Sequence, residues 1–133
     1  SYGDISNSIY NLDNLPPWHT DNTKITKVCF EDEINPRSTG FWFDGCSNLE
    51  NIENIEELNT SRVTSMESMF GGCNKLTNID LSNFDTSNVT NMSSMFSNCN
   101  NLINIYVGAN WTTENADTTY MFKDCGTDHV TLK

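Results

Sequence analysis

The sequence predicts an α/β solenoid in which each coil holds one short strand and one short helix, preceded by an irregular cap that contains a first strand. Three observations predict it. Phe43, Phe70, Phe96 and Phe122, together with Cys46, Cys73, Cys99 and Cys125, recur at intervals of 27, 26 and 26 residues. Within each unit the apolar spacing changes from three-and-four to two, as it does when a helix gives way to a strand. The composition is rich in small polar residues, with 20 Asn, 15 Thr and 13 Ser in 133 residues, types that favour turns and caps over long helices. A unit of this length cannot bury its own apolar face, so neighbours must pack on one another.

Residues 1–37 lack the repeat and hold the only prolines, Pro16, Pro17 and Pro36. They are expected to form an N-terminal cap in which Tyr10, Leu12, Leu15 and Trp18 cover the open apolar end, and Ile25, Val28 and Phe30 alternate along the first strand. The repeats fill residues 38–125, as units near 38–63, 64–89 and 90–116 and a partial unit at 117–125. Met66, Met69, Phe70 and Cys73, like Met92, Met95, Phe96 and Cys99, follow an i, i+3, i+4, i+7 pattern that predicts two helical turns. Thr64 with Glu67 reads as a capping box, and Gly71-Gly72 or Asn98 to Asn101 would end the helix. Next, Ile79 with Leu81 and Ile105 with Val107 alternate with Asp80 and Tyr106, which predicts a strand with one buried side. The return segment SNFDTSNVT is turn-rich, anchored by Phe84 and Val89. One extra residue lies between Ile52 and Leu58, which accounts for the longer first interval.

Same-position residues of successive coils should form internal ladders about one strand spacing (~4.8 Å) apart: the Phe and Cys series, Leu49, Leu76 and Leu102, and Ile52, Ile79 and Ile105. Asn51, Asn78 and Asn104 recur before each strand and are expected to bond the backbone of the adjacent coil. In the closing unit Trp111 replaces Phe84, which predicts an interior indole. Residues 126–133 are an exit strand or tail.

Several function classes are excluded. Seven Lys and Arg against 18 Asp and Glu leave a net charge of −11, which repels phosphates and argues against a nucleic-acid partner. No apolar run is long enough for membrane insertion or a secretory signal, so a mature protein or an excised fragment is expected. The four repeat cysteines are expected as free buried thiols acting as small hydrophobes, and Cys29 stands between Val28 and Phe30. No two cysteines are closer than 17 residues, which excludes a paired zinc site. The acidic clusters Glu31-Asp32-Glu33 and Glu53, Glu56 and Glu57 match no calcium-loop spacing. His19 and His129 lie in the cap regions without a nucleophile motif beside them. No catalytic residue, cofactor or metal ligand is therefore assigned. Binding is expected on the outward sheet face, at Thr77, Asp80 and Ser82 of one unit and Asn104, Tyr106 and Gly108 of the next, with Tyr106 as the anchor.

The run TSRVTSMESMFGGCNKLTNIDLSNFDTSNVTNMSSMFSNCNNL resembles the BspA-type leucine-rich-repeat surface proteins of bacteria, in the branch whose repeat combines FDTSNVT, MF and a following Cys. The match extends from about Thr39 to Cys125. This resemblance implies a right-handed leucine-rich-repeat-like solenoid, exported and displayed on a bacterial cell surface, in proteins associated with adhesion. The expected function is a monomeric, non-enzymatic recognition or adhesion module for an extracellular host or bacterial protein or glycan. The alternative is a structural spacer with no ligand of its own.

Overall fold

The structure, a computed structural model, describes Asp4–Ile5 and residues 22–133. The residues expected to cover the apolar end, Tyr10, Leu12, Leu15 and Trp18, lie outside that range, as do Pro16, Pro17 and His19. Among the described residues six short strands form two separate parallel sheets. The first joins β1 (Asp4–Ile5), β2 (Lys27–Phe30) and β3 (Asn51–Glu53) in that order. The second joins β4 (Asn78–Leu81), β5 (Asn104–Val107) and β6 (Thr131–Leu132). Ile79 pairs with Ile105 and Asp80 with Tyr106, while Thr131 pairs with Tyr106 on the far side.

Two features correct the α/β solenoid expectation. The described residues contain no α-helix, only single turns of 3-10 helix such as Ile55–Glu57. The parallel sheet expected along one side is also interrupted, because β3 does not pair with β4. The interruption falls at the extra residue between Ile52 and Leu58. Asn54 adopts a left-handed conformation there and the 3-10 turn follows at once, turning the chain off the strand direction.

The segments expected to be helical are chains of overlapping turns. In one repeat the N–H groups of Met69, Gly71 and Cys73 donate three residues back, to the carbonyls of Met66, Ser68 and Phe70. The N–H groups between them donate across to the next repeat: Ser68 to Ser93, Phe70 to Met95 and Gly72 to Ser97, at 2.8–3.0 Å. The next repeat repeats the scheme, with Ser94, Phe96 and Asn98 donating to Thr119, Met121 and Lys123. An α-helix would consume every one of these donors internally. Positive φ at every fourth residue prevents it: Phe41 and Gly45, Ser68 and Gly72, Ser94 and Asn98, Tyr120 and Asp124. Each is the third residue of a turn closed by an i to i+3 hydrogen bond, the position where a type II turn requires φ above zero. With no helix to cap, Thr64 and Glu67 form no capping box: the Thr64 hydroxyl bonds the Arg37 carbonyl and the Glu67 N–H bonds the Ser65 hydroxyl.

Phe43, Phe70 and Phe96 are fully buried, and their rings stack at centroid distances of 5.6 and 5.7 Å, with Phe122 next at 5.8 Å. Leu49, Leu76, Leu102, Ile79 and Ile105 are also buried, whereas Ile52 is half-buried beside the interruption. The return turns are tied by Thr60 and Thr86. The Thr86 hydroxyl donates to the Thr112 carbonyl at 2.9 Å and accepts the Thr112 N–H at 2.7 Å; Thr60 bonds both backbone groups of Asp85 in the same way. Asp85 accepts the Ser87 N–H and hydroxyl, and Asn59 accepts the Ser61 N–H, which stiffens each turn locally.

Candidate functional site

Alternation along β4 and β5 places Ile79, Leu81, Ile105 and Val107 in the core and turns Asn78, Asp80, Asn104 and Tyr106 outward. Asp80, Tyr106 and Thr131 form one row across the three strands. Lys133 closes over that row: its Nζ donates to Asp80 Oδ2 at 2.5 Å and sits 5.8 Å from the centre of the Tyr106 ring. Its N–H bonds the Val107 carbonyl, so the backbone beyond β6 fixes where the ammonium lands. The Lys133 bond, then the Ser82 donors, hold the Asp80 carboxyl down to about 2. A carboxylate this well supplied with donors stays ionised throughout the physiological range.

Of the residues expected on this face, Asp80, Tyr106 and Asn104 share it. Thr77 precedes β4 and its hydroxyl accepts from Asn78, whereas Ser82 follows β4 and its N–H bonds Asp80. Gly108 is buried rather than outward: a Cβ there would overlap the Ser82 carbonyl. The recurrent Asn residues are also corrected. They open the strands with outward parity, so Asn104 Nδ2 donates to Asn78 Oδ1 at 2.6 Å and Asn51 Nδ2 reaches Glu53, side chain to side chain. Asn88 and Asn101, in the turns, bond the backbone of the preceding repeat. Sequence reasoning missed Lys133, whose 53-residue separation from Asp80 leaves no local signal.

A second exposed region lies at the end of the ladder. An open groove of about 820 Å³ is lined by residues that include Trp111, Tyr120, Phe122, Lys123, His129 and Val130. Trp111, expected in the interior, is half-buried here, and Phe122 and Cys125 are half-buried where their counterparts are enclosed. Lys123 Nζ stands 4.9 Å from the centre of the Tyr120 ring, and His129 Nδ1 is 2.9 Å from Asp128.

All five cysteines are free. Burial, then the Asp44 charge, pushes the Cys46 thiol up to about 12, and burial, then Cys125, does the same for Cys99. Burial also raises the Cys73 thiol well above its ordinary value. The Cys73 and Cys99 thiols donate to the Phe43 and Phe70 carbonyls of the preceding repeat. Such thiols are poor nucleophiles at neutral pH. Among the described residues no three His, Cys, Asp or Glu side chains converge as a metal site would require, and no helix is long and apolar enough to cross a membrane.

No curated protein and no solved structure matches the chain. A family model does match, over residues 6–132, which takes in the repeats and all of both regions described above except Lys133. The chain therefore belongs to the family described as "Mycoplasma protein of unknown function, DUF285".

Proposed function

We propose that this chain is a non-enzymatic recognition module of a bacterial cell-surface protein, and that the outward face of the β4–β5–β6 sheet binds an extracellular protein or glycan. Membership of the BspA-type surface proteins is part of the same reading and rests on the DTS, MF and Cys motif. The observation that carries the proposal is the Asp80–Tyr106–Thr131 row. It sets an aromatic ring, an ionised carboxylate and the Asn78–Asn104 amide pair on one exposed sheet surface. Aromatic rings flanked by oriented polar groups suit both protein hot spots and sugar rings. Burial pushes the Cys46 and Cys99 thiols up to about 12, which leaves them poor nucleophiles at neutral pH. A net charge of −11 disfavours nucleic acid as the ligand.

The test is biolayer interferometry of the folded chain against extracellular-matrix proteins, serum proteins and glycans, at low and physiological salt. Saturable binding that survives physiological salt and is lost in Tyr106→Ala and Asp80→Asn is expected. Binding unaffected by either substitution contradicts the assignment of the face. Silence across the panel favours the second reading, a structural spacer, which the engagement of both Asp80 and Tyr106 by Lys133 supports.

A further inference from the structure

The Asp80–Tyr106 row already holds a group of one chemical kind. The Lys133 ammonium donates to Asp80 Oδ2 and lies over the Tyr106 ring, 5.8 Å from its centre. A carboxylate beside an aromatic face suits a cation, because both present negative potential to the same point. The occupant is weakly held. The side chains of Lys133 and Asp80 are 57 % and 45 % exposed, and exposed ion pairs contribute little. The strand that carries the ammonium, β6, is two residues long, and both are exposed. Its backbone is anchored separately, because the Lys133 N–H bonds the Val107 carbonyl, so the ammonium can leave while β6 stays paired. Beside the row, a small hollow of about 100 Å³ is lined by residues that include Glu50, Asn51, Asn78 and Asp80. It sets Glu50, a second carboxylate, next to the same surface.

We infer that the ligand of this face is a protein presenting a Lys or Arg side chain, and that Lys133 is an internal competitor for the site between Asp80 and Tyr106. This inference rests on the recognition function proposed above for the same face. The partner's cation takes the place of the Lys133 ammonium, between the carboxylate and the ring. A second copy of this chain is a poor occupant, because two copies at a net charge of −11 repel each other. The same charge attracts a basic partner. A neutral sugar would have to displace the ammonium from the ring and leave Asp80 without a counter-charge, so the arrangement selects a cation over a glycan. The competition has a bounded size. Losing an exposed pair of this kind changes an equilibrium by up to about fivefold, which sets how far Lys133 lowers the apparent affinity.

The test uses the full chain, its Lys133→Ala variant and two probes: an acetylated, amidated Gly-Lys-Gly peptide, and the same peptide with norleucine, which keeps the stem and lacks the charge. NMR follows the Tyr106 ring and the Asp80 and Asn104 amides. The lysine peptide is expected to give saturable shifts with a Kd about two- to fivefold lower in Lys133→Ala than in the unsubstituted chain, and the norleucine peptide none. Lys133→Gln, which keeps most of the stem, should match Lys133→Ala, and adding Tyr106→Ala or Asp80→Asn to either should remove the shifts. Four results overturn the inference: no shift in Lys133→Ala at millimolar peptide, equal Kd in the two chains, an equal response to norleucine, or shifts that grow with the chain's own concentration without peptide, which would give the site to a second copy. The recognition function fails separately, when a ligand from the binding panel is held unchanged by Tyr106→Ala and Asp80→Asn. A neutral glycan that needs both side chains and is indifferent to Lys133→Ala keeps the face and overturns the cation alone.

Discussion

The repeat around Phe96 and the repeat around Phe122 share a local conformation and differ in almost everything that stabilises it. Both have positive φ at the same two places, Ser94 and Asn98 in one, Tyr120 and Asp124 in the other. Both close the same i to i−3 turns. Yet Phe96 is fully buried between two rings, while Phe122 is half-buried against one. Backbone conformation is therefore a property of one repeat, and burial and hydrogen-bond saturation are properties of a pair. This division is expected where repeats interact only with nearest neighbours.

The largest break in that comparison comes from the rings. Phe96→Ala should cost about 3–5 kcal/mol, the range for deleting a buried aromatic side chain, and Phe122→Ala about half as much because one face is already open. Urea unfolding of the two variants measures this, and equal costs would contradict the contrast. The next effect is polar. Thr86→Val strands the Thr112 N–H and removes two short bonds, at a cost of about 1–3 kcal/mol. The Thr112 hydroxyl, one repeat later, accepts only the Glu114 N–H of its own turn, so Thr112→Val should cost less than ~1 kcal/mol.

The smallest effect sharpens a different contrast, between the repeat around Phe122 and the latched sheet face. The folded Asp80 carboxyl titrates at about 2 against an ordinary 3.8. Its contribution to stability is therefore present above about pH 4 and lost as pH falls through about 2. The group is largely exposed, so that contribution is at most ~1 kcal/mol. In Lys133→Ala, NMR titration should find the Asp80 midpoint raised toward 3.8; an unchanged midpoint would remove Lys133 as the main cause.

Which parts of this were legible follows from the kind of signal each leaves. The repeat and the inward positions of Phe, Leu and Ile could be read because identical environments select similar side chains at a fixed interval. The outward parity of Asp80 and Tyr106 could be read because a strand alternates strictly. The i, i+3, i+4, i+7 spacing does not distinguish a helix from overlapping turns, which produce it equally. The distinguishing residues are present: Gly45, Gly72, Asn98 and Asp124 occupy the left-handed turn position, and Gly72 and Asn98 read equally well as helix ends. Their partners at Phe41, Ser68, Ser94 and Tyr120 carry no left-handed preference. Local sequence therefore does not mark those four positions as left-handed. The family match over residues 6–132 establishes membership and leaves function to experiment.

The central claim is that alternate N–H groups of each turn segment are donated to the next repeat. Native-state hydrogen exchange of the chain alone tests it most directly. Ser68, Phe70, Gly72, Ser94, Phe96 and Asn98 should exchange slowly and Tyr120, Phe122 and Asp124 quickly, despite their identical local geometry. Uniform protection through residues 92–99 with the same protection at Tyr120 and Phe122 would mean that each segment satisfies its own backbone, as a helix does, and would contradict the account.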